Sequence, residues 1–441
     1  MARKQLRLKP LAHIYDLSQA PLNANPLAGQ WPCLNVMVSS NRITRRWDHE
    51  ISRTFDDTET ISEIPTFRTY DGTQYILVLT DNDAAKIMGS TTSDTYQYIT
   101  KAYTTGHITN ISAATPSVVT GTGTGWLTSG LAAGDKFIVD ADFTTTAAME
   151  PCANWATIAT VDSDTAITLT GHYAGTHGAL ATVDYRTRMI YGYVDGTPGG
   201  ERWQYASVNG KFCFGNGYDQ MQVWTGTGYA TDLDTTYCNQ VRYCVAYANR
   251  LVIADAYDLD SAKRNPWRLR WSKEGDPTDW TDDTSGFNDF IDTEEPIMGL
   301  GVAGENLIVF KNTSYYLGLR TGQATSAIGF PSQKKGIGLY APYSVVHAAG
   351  SVAWMGIDDF YFFNGSEAES VGDPIRKKFF DLVSDDEAKA VFGINNLRYN
   401  EVLWVANTSS GQYIFAYDWK EKSWATYKTS SNLTALGGAG I

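Results

Sequence analysis

The chain has 441 residues, of which 43% are hydrophobic and 13% aromatic, and it contains 40 glycines. Its formal net charge of −13 argues against a protein that grips nucleic acid, because that affinity comes mainly from lysine and arginine neutralising phosphates. Five irregularly spaced cysteines exclude a disulfide framework and a CxxC zinc site, so we expect reduced thiols. Bulky flat side chains mixed with turn formers favour many short strands and predict an all-β fold.

The N-terminal arm, residues 1–55, is basic at its start and lacks the apolar core of a signal peptide. No window approaches the roughly 18 apolar residues of a membrane helix, so we expect no membrane anchor. We predict that this arm contacts acidic neighbouring subunits, and a solvated tail is the alternative. The candidate contact residues are Arg3, Lys4, Arg7, Lys9, Arg42, Arg45 and Arg46.

Segments of roughly 40 to 50 residues, each with apolar strands, a glycine turn and a late Trp or Tyr, recur along the chain, a spacing typical of β-propeller blades. The first blade is predicted at residues 56–104, where Asp71-Gly72 closes a hairpin. We count six blades, with five or seven as alternatives.

Residues 105–187 interrupt this pattern with a segment rich in Thr, Gly, Ala and Ser. Alternating short strands joined by glycine turns predict an inserted small β-barrel, of the SH3 type, or an Ig-like domain. A loop between blades tolerates such an insertion because no core strand is broken. We expect the domain to project outwards, either as a docking site for another protein or as an inert spacer.

The remaining blades are predicted within residues 188–441, with turns at Asn209-Gly210, Asn216-Gly217 and Asn364-Gly365. Two short helices are predicted near positions 375 and 385, in PIRKKFFDLV and DDEAKAVF. We expect the closing segment SNLTALGGAGI to pair beside the first blade, since joined ends leave no open sheet edge.

Motifs that carry chemistry are scarce. The sequence has no HExxH, no GxSxG and no GxxxxGK[ST] motif, so we predict no enzyme, no metal and no cofactor. His172 and His177 lie in a glycine-rich stretch and are expected to be surface residues. Asp81, Asn82 and Asp83 lack the spacing of a calcium loop and are expected to cap a turn.

A glycosidase is the sharpest catalytic alternative. The segment WSKEGDPTDWTDD places Glu274, Asp276 and Asp279 beside Trp271 and Trp280, and glycoside hydrolysis needs two suitably separated carboxyl groups. The same residues also fit a blade turn in which the acids cap the turn and the tryptophans pack between blades. We favour the turn.

Three segments together resemble a known family: RLRWSKEGDPTDW, PIMGLGVAGENLIVFKNTSYYLG and KKGIGLYAPYSVVHAAGSVAWMGIDDFYFFNGSEAESVG. They resemble the hub or nozzle proteins of short-tailed bacteriophages, the tail accessory β-propellers that lie below the portal and adaptor. The resemblance covers roughly residues 240–380. In it, Lys311 and Tyr315 belong to one hairpin, and the signature positions are structural: Trp271, Ser272, Gly275, Asp276, Trp280, Lys335, Gly336 and Gly338.

The resemblance implies a structural virion protein, assembled in the bacterial cytoplasm and located in the tail. It implies a homo-oligomeric ring, usually a hexamer, stacked on the adaptor, with DNA passing along the axis without sequence-specific binding. Tail fibres or spikes attach around such a ring, and residues 105–187 are the candidate contact. The alternatives are a sugar-binding or glycan-cleaving propeller and a surface adhesin.

Overall fold

The computed structural model describes residues 36–39, 42–45, 61–80, 84–88, 95–188 and 202–428, with gaps at 101, 130, 132, 143–155, 218–219, 234–236, 324–325 and 398. An N-terminal antiparallel hairpin comes first, formed by β1 (Val36–Ser39) and β2 (Arg42–Arg45). The strand β1 lies beside the last strand of the chain. The predicted pairing of the closing segment 431–441 lies outside the described residues.

Blade 1 is an antiparallel sheet whose inner strand is interrupted at Pro65. Its strands are β3 (Ile61–Glu63), β4 (Thr66–Arg68), β5 (Gln74–Thr80), β6 (Ala84–Met88) and β7 (Thr95–Tyr98). The predicted hairpin turn is present, with Gly72 at a φ of 91°. Only glycine adopts that conformation without steric cost.

An eight-strand sheet follows blade 1. Its strands are β8 (Ala102–Tyr103), β9 (His107–Ile111), β10 (Val118–Thr122), β11 (Lys136–Val139), β12 (Ala156–Ser163), β13 (Ala166–Leu169), β14 (Gly178–Val183) and β15 (Tyr185–Arg188). The consecutive strands β8 and β9 pair along the consecutive strands β15 and β14. Because β9 also pairs with β10, and β15 also pairs with β11, the hydrogen-bonded strand order returns to its start. The insertion is therefore a barrel rather than an Ig-like sandwich.

Five further four-stranded antiparallel sheets complete the propeller. Blade 2 has β16 (Gln204–Val208), β17 (Lys211–Gly215), β18 (Gln222–Trp224) and β19 (Thr231–Asp232), and blade 3 has β20 (Cys238–Tyr247), β21 (Arg250–Asp258), β22 (Lys263–Trp271) and β23 (Gly286–Asp289). Blade 4 has β24 (Ile297–Ala303), β25 (Asn306–Lys311), β26 (Ser314–Arg320) and β27 (Ile328–Lys335).

Blade 5 has β28 (Val346–Ala348), β29 (Ser351–Met355), β30 (Phe360–Phe363) and β31 (Ala368–Ser370), and blade 6 has β32 (Phe392–Asn396), β33 (Glu401–Thr408), β34 (Gly411–Asp418) and β35 (Ser423–Lys428). Between them lie α1 (Arg376–Leu382) and α2 (Asp385–Lys389), where two helices are predicted from the sequence. The predicted all-β six-bladed propeller with an inserted barrel is confirmed.

Apolar clusters between neighbouring blades form the core. One such cluster joins blades 4 and 5, where Trp354 lies 4.9 Å from Phe310 and 5.6 Å from Tyr361, measured between ring centroids. Its indole nitrogen donates to the carbonyl oxygen of Gly338 at 3.1 Å. Burial of such large rings supplies most of the favourable free energy of packing.

Arg202 joins the first and last blades. Its guanidinium donates to the carbonyl oxygen of Ser62 and lies 3.3 Å from the Glu63 carboxylate, both in blade 1. The same guanidinium stacks 3.9 Å from the ring centroid of Phe392 in blade 6. Only 9% of Arg202 is exposed. This buried cation therefore links blade 1 to blade 6 and helps to close the ring of blades.

Candidate functional sites: the inter-blade loop and the central channel

The loop of residues 272–285 connects the last two strands of blade 3. We call it the inter-blade loop because its side chains contact the neighbouring blades. Trp271, which precedes the loop, and Trp280, which lies within it, are buried on opposite sides of blade 3. Trp271 packs in the cluster that blade 3 shares with blade 4, and Trp280 packs against residues of blade 2.

Backbone contacts fix the start of the inter-blade loop. The hydroxyl of Ser272 accepts the Leu251 amide at 3.0 Å, and the Gly275 amide donates to the Asn249 carbonyl at 2.7 Å. Gly275 has a φ of 80°, a conformation that favours glycine. Its carbonyl accepts the side-chain amide of Asn209, in the hairpin turn of blade 2, at 2.9 Å.

Asp276 ties the inter-blade loop to blade 2. Its carboxylate lies 2.7 Å from the Lys211 ammonium and accepts the amide and hydroxyl of Thr278 at 3.0 and 2.6 Å. Partial burial opposes ionisation, but these hydrogen bonds outweigh it and lower the pKa of Asp276 to about 2. The carboxylate is therefore a fixed anion above that pH.

Asp279 caps a turn inside the inter-blade loop. Its carboxylate accepts the Thr281 amide at 3.1 Å and lies 3.4 Å from the Lys273 ammonium. The backbone hydrogen bond from Thr281 is the main reason that the pKa of Asp279 lies below its ordinary value.

Glu274 extends the loop towards blade 4. Its carboxylate lies 3.3 Å from the buried Arg250 of blade 3 and 3.4 Å from Arg320 at the end of β26. The inter-blade loop therefore makes polar contacts with blades 2, 3 and 4, and each of Glu274, Asp276 and Asp279 is paired with a cation.

This pairing bears on the glycosidase alternative. A glycosidase acid needs a carboxyl group that stays protonated near neutral pH, whereas the pKa values of Asp276 and Asp279 are lowered. The contacts of the loop are those of an Asx-capped brace.

The segment that follows blade 4 contains the other signature positions. Lys335 is exposed at the end of β27, and Gly336 has a φ of 84°. Gly338 is required by packing: a Cβ atom there would lie 1.9 Å from the Asn312 carbonyl oxygen. Gly338 also accepts the indole of Trp354, so this segment fixes the contact between blades 4 and 5.

Lys311, which the resemblance places in a hairpin with Tyr315, is fully buried. Its ammonium donates to the Phe290 carbonyl at 2.6 Å and the Thr293 hydroxyl at 2.7 Å. Burial lowers the pKa of this ammonium, although Asp292 at 3.6 Å partly opposes the effect. Tyr315 is buried against Trp354, with 5.9 Å between ring centroids.

Most of the predicted subunit-contact residues lie outside the described residues. Arg42 and Arg45 lie on β2, where the backbone is described. The predictions for residues 3, 4, 7, 9 and 46, and those for the acidic stretch 81–83, fall outside the described residues.

His172 and His177 lie together in the barrel. Their rings stack with 4.5 Å between centroids, and His172 is exposed. Among the described residues no group of three or more His, Cys, Asp or Glu side chains is arranged to hold a metal ion. Within the same residues, no helix is long and apolar enough to cross a membrane.

A central channel runs between the inner strands of all six blades. It contains a cavity of about 340 Å³. The residues that line it come from the inner strands and the segments next to them: Glu63, Ile64, Trp203, Gln204, Tyr205, Tyr243, Cys244, Val245, Gly299, Leu300, Pro342, Tyr343, Val345, Val346, His347, Gly393, Ile394 and Asn395.

His347 is held from two sides within this channel. The Val302 amide of blade 4 donates to its Nε2 at 3.1 Å, and the Asn395 side-chain amide of blade 6 donates to its carbonyl at 2.7 Å. His347 is exposed to the channel, but loss of hydration beside the surrounding wall lowers its pKa below the ordinary value of 6.5. Because Nε2 accepts, the proton of the neutral ring is on Nδ1.

Sequence reasoning identified the inter-blade loop but missed Arg202, Lys211 and the channel residues. Lys211 follows a glycine turn and gives no sign of its partner 65 positions away. The channel residues could have been found by aligning the first strand of every repeat, since inner strands of a propeller all face its axis.

No family model and no curated protein matches the chain. It is similar to the computationally designed protein Ika8 at 11% identity and a TM-score of 0.36, covering 86% of this chain and 91% of the other. For Kluyveromyces lactis Hsv2 the values are 10%, 0.34, 86% and 100%, and for the Neurospora crassa Pan2 WD40 domain they are 7%, 0.33, 74% and 80%. These likenesses carry no inference about function.

Proposed function

We propose that the chain is a structural subunit of a bacteriophage tail ring, the nozzle or hub that extends the DNA exit channel and carries fibres or spikes. The observation that supports a scaffold most directly is the inter-blade loop, which braces blades 2, 3 and 4 through Lys211, Asp276, Glu274 and Arg320. The sequence resemblance over residues 240–380 supplies the phage assignment, and this loop lies within it.

A rigid block suits that role because identical blocks can close a ring through one repeated contact. The channel of a single propeller has the volume of a small-molecule pocket. In the proposal DNA therefore passes along the axis of the assembled ring, and the net charge of −13 limits adhesion to its phosphates.

The inserted barrel is the proposed fibre or spike contact. Its strands pair around the domain, and of the described strands only β8 and β14 keep a free edge, so little edge is available for strand addition. A partner would bind through barrel side chains and loops. Arg186 of β15 stacks 5.0 Å from the Tyr229 ring centroid of blade 2, a contact that restrains the barrel against the propeller.

Mass photometry of the full chain, alone and mixed with a portal and adaptor complex, tests the proposal. We expect an assembly of about six times the 48.5 kDa chain mass, formed alone or on the adaptor. A chain that remains monomeric at every concentration, also beside the adaptor, would contradict the ring assignment.

A glycan depolymerisation assay provides the catalytic control. The full chain is compared with variants that carry Glu274→Gln, Asp276→Asn or Asp279→Asn. Activity that disappears on substitution would favour the glycosidase instead.

A further inference from the structure

Blade 3 carries a cluster of ion pairs with more cations than anions, in a chain whose net charge is −13. These ion pairs join four arginines to three aspartates: Arg242, Arg264, Arg268 and Arg270 with Asp255, Asp258 and Asp289. One positive charge of the cluster is therefore not matched by a carboxylate of the cluster.

Hydrogen bonding identifies the arginine whose donors are unused. Arg242, Arg264 and Arg268 each donate to a carboxylate, at 2.6 to 2.9 Å. Arg270 donates to none of the described residues, and its one ion-pair partner among them, Asp258, lies 3.7 Å away. Asp258 is held more closely by Arg268, at 2.6 Å. The guanidinium N–H groups of Arg270 are therefore available to another acceptor.

Two aromatic rings hold the guanidinium of Arg270. Its central carbon lies 5.1 Å from the ring centroid of Tyr237 and 5.2 Å from that of Phe287. Phe287 is the cross-strand neighbour of Arg270 between β22 and β23. Because these contacts favour one position of the planar group, its donors are oriented before a ligand arrives. A planar fork of donors suits a two-pronged contact with an oxyanion.

The guanidinium of Arg270 can be reached from outside. About 12% of its side chain is exposed, and it lines a cavity of about 10 Å³ together with Arg268 and Asp258. That volume has room for about one water. Phe287, in contact with Arg270, is 52% exposed. A ligand can therefore place an oxygen at Arg270 while the rest of the ligand lies over the outer face of blade 3.

Charge and surface character restrict the ligand. A phosphate monoester carries about two negative charges at neutral pH, which would exceed the single unmatched positive charge and bring the second charge towards Asp258. A carboxylate carries one. The exposed ring of Phe287 favours a ligand with an apolar group next to its charge. An acidic side chain in a protein segment, flanked by apolar residues, meets both conditions.

We propose that Arg270, held by Tyr237 and Phe287, binds a carboxylate of an acidic protein segment, and that an apolar side chain of this segment packs on Phe287. The carboxylate accepts paired N–H···O hydrogen bonds from the guanidinium. This interaction site is additional to the proposed scaffold role and does not depend on ring assembly.

Saturation-transfer difference NMR of the full chain at neutral pH and constant ionic strength tests the proposal. The probe is the peptide acetyl-Leu-Glu-Leu-amide, and its counterpart has Gln in place of Glu. We expect a dissociation constant on the order of millimolar for the Glu peptide and at least roughly tenfold weaker binding of the Gln peptide, which lacks the charge. Inorganic phosphate and a short DNA duplex are the competitors, and we expect neither to displace the Glu peptide.

Arginine variants form a matched set. Arg270→Gln removes the charge and should weaken binding of the Glu peptide at least roughly tenfold, whereas Arg270→Lys keeps the charge without the planar fork and should have an intermediate effect. Arg68→Gln makes the same change at an exposed arginine of β4 that donates to Gln74, and we expect unchanged binding. Thermal unfolding verifies that each variant is folded. If Arg270→Gln does not fold, Arg270→Lys and the two peptides measured on the parent chain still decide the result.

The proposal is overturned if the Glu peptide binds no more tightly than the Gln peptide, or if the Arg270 variants bind it as well as Arg68→Gln does. Displacement of the peptide by inorganic phosphate or by the DNA duplex would also overturn it, and would assign the site to phosphate or to nucleic acid instead. None of these results bears on ring formation, which mass photometry reports separately.

Discussion

The propeller and the inserted barrel use the same short antiparallel strands but close in different ways. In the barrel, β8 and β9 pair with β15 and β14, so backbone hydrogen bonds run around the whole domain. In the propeller no backbone ladder joins one blade to the next in the described chain. Closure there relies on side chains, such as the apolar cluster around Trp354 and the Arg202 contacts.

The propeller and the barrel are therefore sensitive to different kinds of mutation. A backbone ladder tolerates many side-chain changes because its hydrogen bonds do not depend on them. A contact between blades depends on the shape and charge of a few residues, since packing is complementary to within a methylene group. We therefore expect polar contacts between blades to contribute more to closure of the propeller than polar side-chain contacts contribute to closure of the barrel.

The largest expected effect comes from paired tryptophan truncations. Trp354→Ala removes a fully buried ring between blades 4 and 5, and Trp126→Ala removes one inside the barrel. Each should lower the unfolding free energy of its own domain by about 3–5 kcal/mol. Differential scanning calorimetry with hydrogen exchange assigns each transition. If Trp126→Ala lowers the propeller transition equally, the two domains unfold as one unit.

Arg202→Met tests closure of the ring of blades. It leaves the half-buried Glu63 without its cation and removes the stack on Phe392, so we expect a loss of about 2 kcal/mol in unfolding free energy, less than for a fully buried ion pair. Arg202→Lys keeps the charge but loses the planar stack and should be less damaging. Urea denaturation measures both variants. Equal stability of the Met variant and the parent chain would contradict closure by this residue.

Lys211→Met tests the brace between blades 2 and 3. The pair with Asp276 is partly exposed, so we expect a loss of only about 0.5 kcal/mol at neutral pH. Because the folded pKa of Asp276 is about 2 against an ordinary 3.8, its stabilisation is present above 3.8 and is lost as the pH falls towards 2. Denaturation at neutral pH and at pH values within that window should show a smaller acid loss in the variant.

Lys377→Met is the control for that brace. Lys377 pairs with Asp381 on the same exposed helix turn, at 2.6 Å. No contact between blades is removed, and we expect no measurable change in the propeller transition. A loss of unfolding free energy as large as that of Lys211→Met would show that the ion pair between blades stabilises the protein no more than an ion pair within one helix.

The smallest expected effect is the pH response of His347. Its folded pKa lies below its ordinary value of 6.5, so the unfolded chain binds protons first on acidification. Stability should therefore be full above 6.5 and fall as the pH drops through the window below it. His347→Gln removes this titration while keeping an acceptor for the Val302 amide. Denaturation curves across that window should be flatter for the variant than for the parent chain.

Local sequence patterns were sufficient to predict the all-β class, the repeated blades, the inserted β-domain and the two short helices. Each depends on local signals: glycine turns such as Asn209-Gly210, whose φ values are 46° and 73°, alternating apolar strands, and the shift in composition at the insertion. Local signals survive in one sequence because turn conformation and strand pairing are set within a few residues.

The side-chain contacts between blades could be identified only in the folded chain. Lys211 and Asp276 are 65 positions apart, Arg202 reaches residues of blades 1 and 6, and the channel gathers one short stretch from each inner strand. A single sequence does not specify such pairs because the angle between blades and the register of their side chains arise from packing over the whole ring. For the same reason, only the folded chain shows that Glu274, Asp276 and Asp279 are each paired with a cation.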